Sequence, residues 1–121
     1  MAHPEAAQAQ TPTPIHSIYA PWGRFGLYTF LIDAPEMALV DTGVTDTAKG
    51  VGDGLAKLGR DIKDVTWILL THGHIDHLGG TVALWEMTDR KAKVVIHRDD
   101  VDYLQRRRAR GKLPQPARAL Y

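Results

Sequence analysis

Three histidines and one aspartate fall between positions 72 and 77, in the run Thr71-His72-Gly73-His74-Ile75-Asp76-His77-Leu78-Gly79-Gly80. Neutral imidazole nitrogen and carboxylate oxygen are donors that zinc and related divalent ions accept, so this concentration of them points to metal chemistry. His72 and His74 are two residues apart, and in an extended segment both project to the same side. Two nitrogens can then reach one ion. Asp76 keeps that phase, while the adjacent His77 points elsewhere. The spacing suits a second ion beside the first, as in two-metal hydrolytic sites whose ions lie about 3.5–4 Å apart. Gly79 and Gly80 carry no Cβ, so the backbone after the donors can turn tightly and pack closely. A helix starting there would direct its positive end toward bound anions.

The pattern T-H-x-H-x-D-H followed by G-G resembles the signature of the metallo-β-lactamase superfamily. The resemblance implies that His72 and His74 bind a first metal and that Asp76 and His77 bind a second. It implies two zinc ions in the complete site, with iron or manganese as alternatives. The expected activity is that of a hydrolase in which a metal-bound hydroxide attacks an ester, thioester, lactone or β-lactam carbonyl. Asp76 would be catalytic as well as a ligand, orienting the nucleophile and passing a proton to the leaving group. The implied fold is α/β, an αββα sandwich of two similar halves. Val40-Asp41-Thr42-Gly43 matches the V/I-D-T-G element that the family carries beside its metals. That match gives Asp41 the role of fixing a ligand imidazole by accepting its far N–H. Taken alone, the tetrapeptide is a strand-end turn in which Asp caps and Gly takes positive φ. Residues 66–72 also resemble the thioesterase and lactonase branches. Phosphodiester cleavage, as in the family's nucleases, is the alternative chemistry. A truncated fragment acting only as an interaction partner is the alternative to catalysis.

Family members complete the site with further histidines and a bridging aspartate well downstream. Here the later histidine is His97, at the end of the strand-like Val94-Val95-Ile96, where it is expected to cap the next turn. The chain therefore corresponds to about the N-terminal half of the sandwich, at 15–105. A disordered leader at 1–14 precedes it, and a basic, Pro-containing lid or linker at 106–121 follows. A lone half would bare one face of its sheet, and a patch that large is rarely exposed in a soluble monomer. The expected partners are a C-terminal half, from the same precursor or a second chain, and a small-molecule substrate.

Net charge is +1 and cysteine is absent, which excludes disulfides, thiolate metal sites and a cysteine nucleophile. No apolar run is long enough to span a bilayer, so no membrane partner is expected. The leader has no basic start or apolar core, and a cytoplasmic location is expected, with export as the alternative. The arginines from Arg106 to Arg118 are expected to be a solvated helix end rather than a nucleic-acid surface, because the whole chain is near neutral.

The elements that must position the donors follow from pattern. Strands are expected at 15–20 and 27–33, joined by Pro21-Trp22-Gly23-Arg24-Phe25-Gly26, then at 37–40, as an antiparallel meander. A helix is expected at 45–58, capped by Thr45 or Asp46, with Val51, Leu55 and Leu58 on its apolar face and Gly59 as its stop. Gly50, Gly52 and Gly54 weaken that helix. A buried strand at 65–70 leads into the donors, and a helix at 81–87 follows, with Trp85 in the core. A strand at 93–97 and a helix at 98–108 complete α/β layering.

Overall fold

Alternation of apolar residues over the first half of the chain sends every second side chain to one side of a sheet. The computed structural model describes residues 12–71 and 79–101 and the backbone of 118–120. Strands β1 (Ile15–Trp22), β2 (Phe25–Ile32) and β3 (Met37–Val40) form the antiparallel meander. β4 (Val65–Leu69) and β5 (Lys93–His97) join it in parallel. A short strand β6 (Arg118–Leu120), not anticipated from sequence, extends the same sheet in parallel to β5. Helix α1 (Ala48–Lys57) crosses from β3 to β4, and helix α2 (Thr81–Met87) lies between β4 and β5. The expected helix at 98–108 begins as a 3₁₀ turn over Arg98–Asp100, and its remainder lies outside the described residues.

The hairpin is tighter than expected. The strands run on to Trp22 and from Phe25, so only Gly23 and Arg24 make the turn. Pro21 is tolerated inside β1 because β1 is an edge strand, where a missing N–H breaks no ladder bond on the open side. Gly23 takes a φ of +60°, as the two-residue hairpin turn requires.

Both helices lie on one face of the sheet. There Ile18, Ala20, Leu31, Leu39, Ile68, Val94 and Ile96 form one core with Val51 and Leu55 of α1 and with Leu84 and Trp85 of α2. The glycines of α1 have a packing reason that sequence pattern does not show. A Cβ on Gly54 would collide with Ile18, and one on Gly50 would come 3.0 Å from the Ala20 Cβ. α1 thus trades helix propensity for close approach to β1. Its apolar face is Ala48, Val51 and Leu55, whereas Leu58 is exposed at 37%, contrary to expectation. Leu58 sits past the last helical turn, where Gly59 at φ +73° reverses the chain.

The opposite face is bare among the described residues. Ile15, Tyr19, Tyr28 and Phe30 are exposed there, Phe30 at 42% and Tyr28 at 57%, with Tyr19 and Tyr28 in edge-to-face contact. Val40, Trp67, Leu69 and Val95 continue that face and are half-buried.

An ion-paired tie holds the far end of the meander to the turn after α1. Arg60 donates two hydrogen bonds to the Asp33 carboxylate, at 3.0 and 2.9 Å, and His16 lies 3.6 Å from it. The Arg60 hydrogen bond holds the Asp33 carboxyl below its ordinary range, helped by the charges of Arg60 and His16 and opposed by desolvation. A carboxyl with a depressed folded pKa stabilises fully above its unfolded pKa, near 4, and that stability is lost as pH falls through the folded value. Arg60→Met is therefore expected to be less stable than the parent at neutral pH and to converge with it below roughly pH 4. Urea unfolding at pH 7 and pH 3 measures the gap; a gap equally wide at both would set the linkage aside.

Candidate metal centre

The donor run follows β4 directly, and β3 ends beside it. β3 and β4 are parallel neighbours, with Val40 opposite Leu69, so the segments after both strands emerge at the same sheet end. The four expected ligands, His72, His74, Asp76 and His77, lie outside the described residues, which extend to Thr71 on one side and resume at Gly79 on the other. Among the described residues, no three histidine, aspartate or glutamate side chains converge as a metal site.

The two ends of that run are well defined, and both rest on residues 41–45. Asp41 is 7% exposed and adopts φ +66°, a left-handed conformation that aspartate tolerates better than most residues. Its main-chain N–H donates to the Leu69 carbonyl at 2.8 Å. Its carboxylate accepts from the Thr71 main-chain N–H at 2.8 Å and from the Thr71 hydroxyl at 2.7 and 3.0 Å. Hydrogen bonds to an ionised acceptor are stronger than neutral ones. The residue before His72 is thereby fixed in both main chain and side chain. Gly43 takes φ +63°, the strand-end turn geometry expected of this tetrapeptide.

The returning end is held by neutral bonds. Gly80 N–H donates to the Gly43 carbonyl at 2.9 Å, and the Thr45 hydroxyl donates to the Gly79 carbonyl at 3.2 Å. The hydroxyls of Thr42 and Thr81 are 3.3 Å apart, and both residues are buried. A Cβ on Gly80 would run into the Thr42 carbonyl oxygen and lie 2.8 Å from that of Val44. Gly80 is thus required by close main-chain approach, as the G-G pair suggested.

Other sequence candidates separate cleanly. The His97 Nδ1 accepts from the Asp99 N–H at 3.1 Å, so His97 caps the turn after β5, as expected. His16 stands at the start of β1 beside Asp33. Trp85 belongs to the core, and among the described residues its Nε1 has no hydrogen-bond partner. Helix capping differs from expectation. Thr47, rather than Thr45 or Asp46, exchanges hydrogen bonds with Val44, accepting from its N–H at 3.1 Å and donating to its carbonyl at 3.0 Å. Sequence pattern missed the long-range hydrogen bonds of Thr42, Thr45, Thr71 and Thr81; their hydroxyls act across 30 to 39 positions, beyond any local periodicity.

The donor set suits zinc: three imidazoles and a carboxylate are among its preferred ligands. The described residues that bound this run, Thr71 and Gly79–Gly80, are both hydrogen-bonded to residues 41–45.

The family profile described as Metallo-beta-lactamase superfamily matches residues 22–118. A Rhizobium johnstonii protein described as a metal-dependent hydrolase is 65% identical over 34 residues, 25% of this chain and 14% of that protein. The solved metallo-beta-lactamase SMB-1, bound to 2-mercaptoethanesulfonate, is 27% identical with a TM-score of 0.69, covering 91% of this chain and 48% of that one. A subclass B3 metallo-beta-lactamase of Bradyrhizobium japonicum is 26% identical with a TM-score of 0.64, covering 79% of this chain and 34% of that one. The chain spans less than half the length of each of these proteins.

Proposed function

The chain belongs to the metallo-beta-lactamase superfamily, and from that premise we propose that it is the ligand-bearing half of a zinc-dependent hydrolase acting on an ester, thioester, lactone or β-lactam carbonyl. One observation carries this. The run holding His72, His74, Asp76 and His77 begins and ends on the same segment, 41–45, at the ends of two parallel strands. His72 and His74 would hold one ion, and Asp76 and His77 a second. Zinc, when bound, makes a nucleophile available at neutral pH by lowering the pKa of water to about 7, and it polarises the carbonyl under attack. The chain's own contribution is orientation. Thr71, the residue before His72, is fixed by the Asp41 carboxylate in main chain and side chain. Asp76 would orient the nucleophile and move a proton toward the leaving group. Asp41 would in addition steady a ligand imidazole.

The bare sheet face supports a two-half assembly. Ile15, Tyr19, Tyr28 and Phe30 form an apolar surface of the kind that a second sheet covers in a sandwich. The completing half, from the same precursor or a second chain, would supply the remaining ligands. No helix among the described residues is long and apolar enough to cross a membrane.

Native mass spectrometry of the untreated protein tests the assembly and the metal together. The expected species carries a second polypeptide region and two zinc-sized increments. It should hydrolyse at least one carbonyl substrate in a panel of esters, thioesters, lactones and β-lactams, and lose that activity to a chelator. A metal-free species inert toward the whole panel after zinc is added back would exclude the proposal.

A further inference from the structure

β1 forms one edge of the sheet, and among the described residues it pairs on one side only, with β2. The register shows which of its main-chain groups face outward. Pro14 lies opposite Asp33, one step beyond the Ile15–Ile32 pair, and its carbonyl accepts from the Asp33 N–H at 2.9 Å. Bonded and non-bonded positions alternate along an antiparallel pair. His16, Ile18 and Ala20 therefore bond to β2, whereas Ile15, Ser17, Tyr19 and Pro21 turn their main-chain groups to the open side. Pro21 has no N–H, which leaves Ile15, Ser17 and Tyr19 as the donors of that edge.

Edge strands are commonly guarded by charge, proline or a bulge. Between Pro14 and Pro21, β1 carries no Lys, Arg, Asp or Glu, and its register with β2 runs without a bulge. Its side chains leave the edge clear. Tyr19 leans inward over β2: a Cβ on Gly26 would collide with its ring, which also meets Tyr28 edge-to-face. Ser17, midway between Ile15 and Tyr19, is small and exposed.

We propose that β1 is a self-association edge, on which a second copy of this chain adds its own β1 antiparallel, with Ser17 facing Ser17 across a two-fold axis. This register sets Ile15 opposite the partner's Tyr19, so the three donors meet the carbonyls of the same three residues. A shift of two residues toward the hairpin would place Pro21 opposite Ile15 and lose a donor. A shift of two the other way would place Tyr19 opposite Thr13, beyond the strand. The contact is self-complementary, as a closed dimer requires. Directly opposed residues share a face, so Ile15 would pack on the partner's Tyr19 and the two bare faces would lie side by side. The second copy extends the sheet sideways and leaves each bare face open to a completing half. The inference thus goes beyond the hydrolase reading and stands independently of it.

Sedimentation equilibrium of the full chain tests it, over a concentration series to about 100 µM that suits a contact of the small, weak class. The mass is expected to rise from one chain to two. Ser17→Pro removes the central donor from the open side and leaves the β1–β2 ladder intact, as Pro21 already does; it should stay monomeric. Ser17→Lys and Ser17→Glu set like charges on the axis and should each be monomeric, whereas their equimolar mixture should dimerise. Phe30→Glu, on the bare face but off the edge, should dimerise as the parent does. Circular dichroism checks the fold of each variant. A parent that stays monomeric throughout the series would overturn the proposal. So would a dimer that survives Ser17→Pro, and its loss in Phe30→Glu would move the contact to the bare face. Should Ser17→Pro fail to fold, the charged pair decides: a dimer formed by either variant alone, or none from their mixture, overturns the register.

Discussion

His72→Ala is expected to abolish hydrolysis by the assembled protein, and Asp76→Ala to do the same by a different route. On the proposed assignment His72 and His74 would share one ion, as their spacing of two residues in the sequence suggests. Deleting one leaves a single donor from this run, and the loss should exceed the 10–100-fold that merely orienting residues contribute. Zinc content should fall in His72→Ala alongside activity. On the proposed assignment Asp76 would serve both as a donor to the second ion and as the carboxylate that orients the nucleophile. Asp76→Ala should therefore retain the first ion and still be inactive. Metal analysis beside steady-state rates distinguishes the two cases. His97→Ala is the matched control: His97 is an exposed cap on the turn after β5. Its loss should reduce stability by about 0.5–1 kcal/mol and leave turnover unchanged. Undiminished turnover by either the His72 or the Asp76 variant would remove the ligand assignment.

Gly80→Ala is expected to destabilise the fold by roughly 3 kcal/mol. The atoms that the new Cβ would meet are the carbonyl oxygens of Thr42 and Val44, both main chain and both unable to rotate aside. The φ of Gly80 is −92°, so left-handed strain plays no part; the penalty is steric. Gly59 supplies the contrast. It adopts φ +73° with nothing within 4 Å of an added Cβ. Gly59→Ala should therefore show only the conformational penalty, about 1–2 kcal/mol. Comparison of urea midpoints at constant m-value measures both. Equal, small shifts would mean that residues 42–44 yield to the methyl and do not clamp the loop. Gly80→Ala should also weaken zinc binding, because relief of the clash must move the residues beside Asp76 and His77.

Local signals were legible in the sequence, and distant ones were not. The α2 and β5 spans matched their apolar pattern, and the His97 cap and the Gly59 stop followed from residue type within two or three positions. The meander was legible because alternation alone specifies it. The hairpin turn was misplaced because Pro21 and Gly26 look like loop residues, and nothing in the local pattern says that β1 is an edge. Leu58 fits the helical period of α1 but falls beyond the turn that Gly59 enforces. Thr45 illustrates the limit best. Residue type predicts a cap, and a partner 34 positions away claims the hydroxyl instead. At the candidate site, the donors declare themselves through identity and spacing, whereas the residues that hold their two ends are revealed by the packing of three separate segments.

The sheet order β1-β2-β3-β4-β5-β6 is also the order of the chain. Each strand after the first pairs with the one made immediately before it, so the sheet can lengthen at a single growing edge. Closing a loop becomes entropically harder only slowly with its length, and here the longest closures are the single crossovers through α1 and α2. Pairings between near neighbours also favour fast folding. Among the described residues no strand has to wait for a partner several strands away, so Thr71 and Gly79, which bound the segment between β4 and α2, can dock on residues 41–45 before β5 is added.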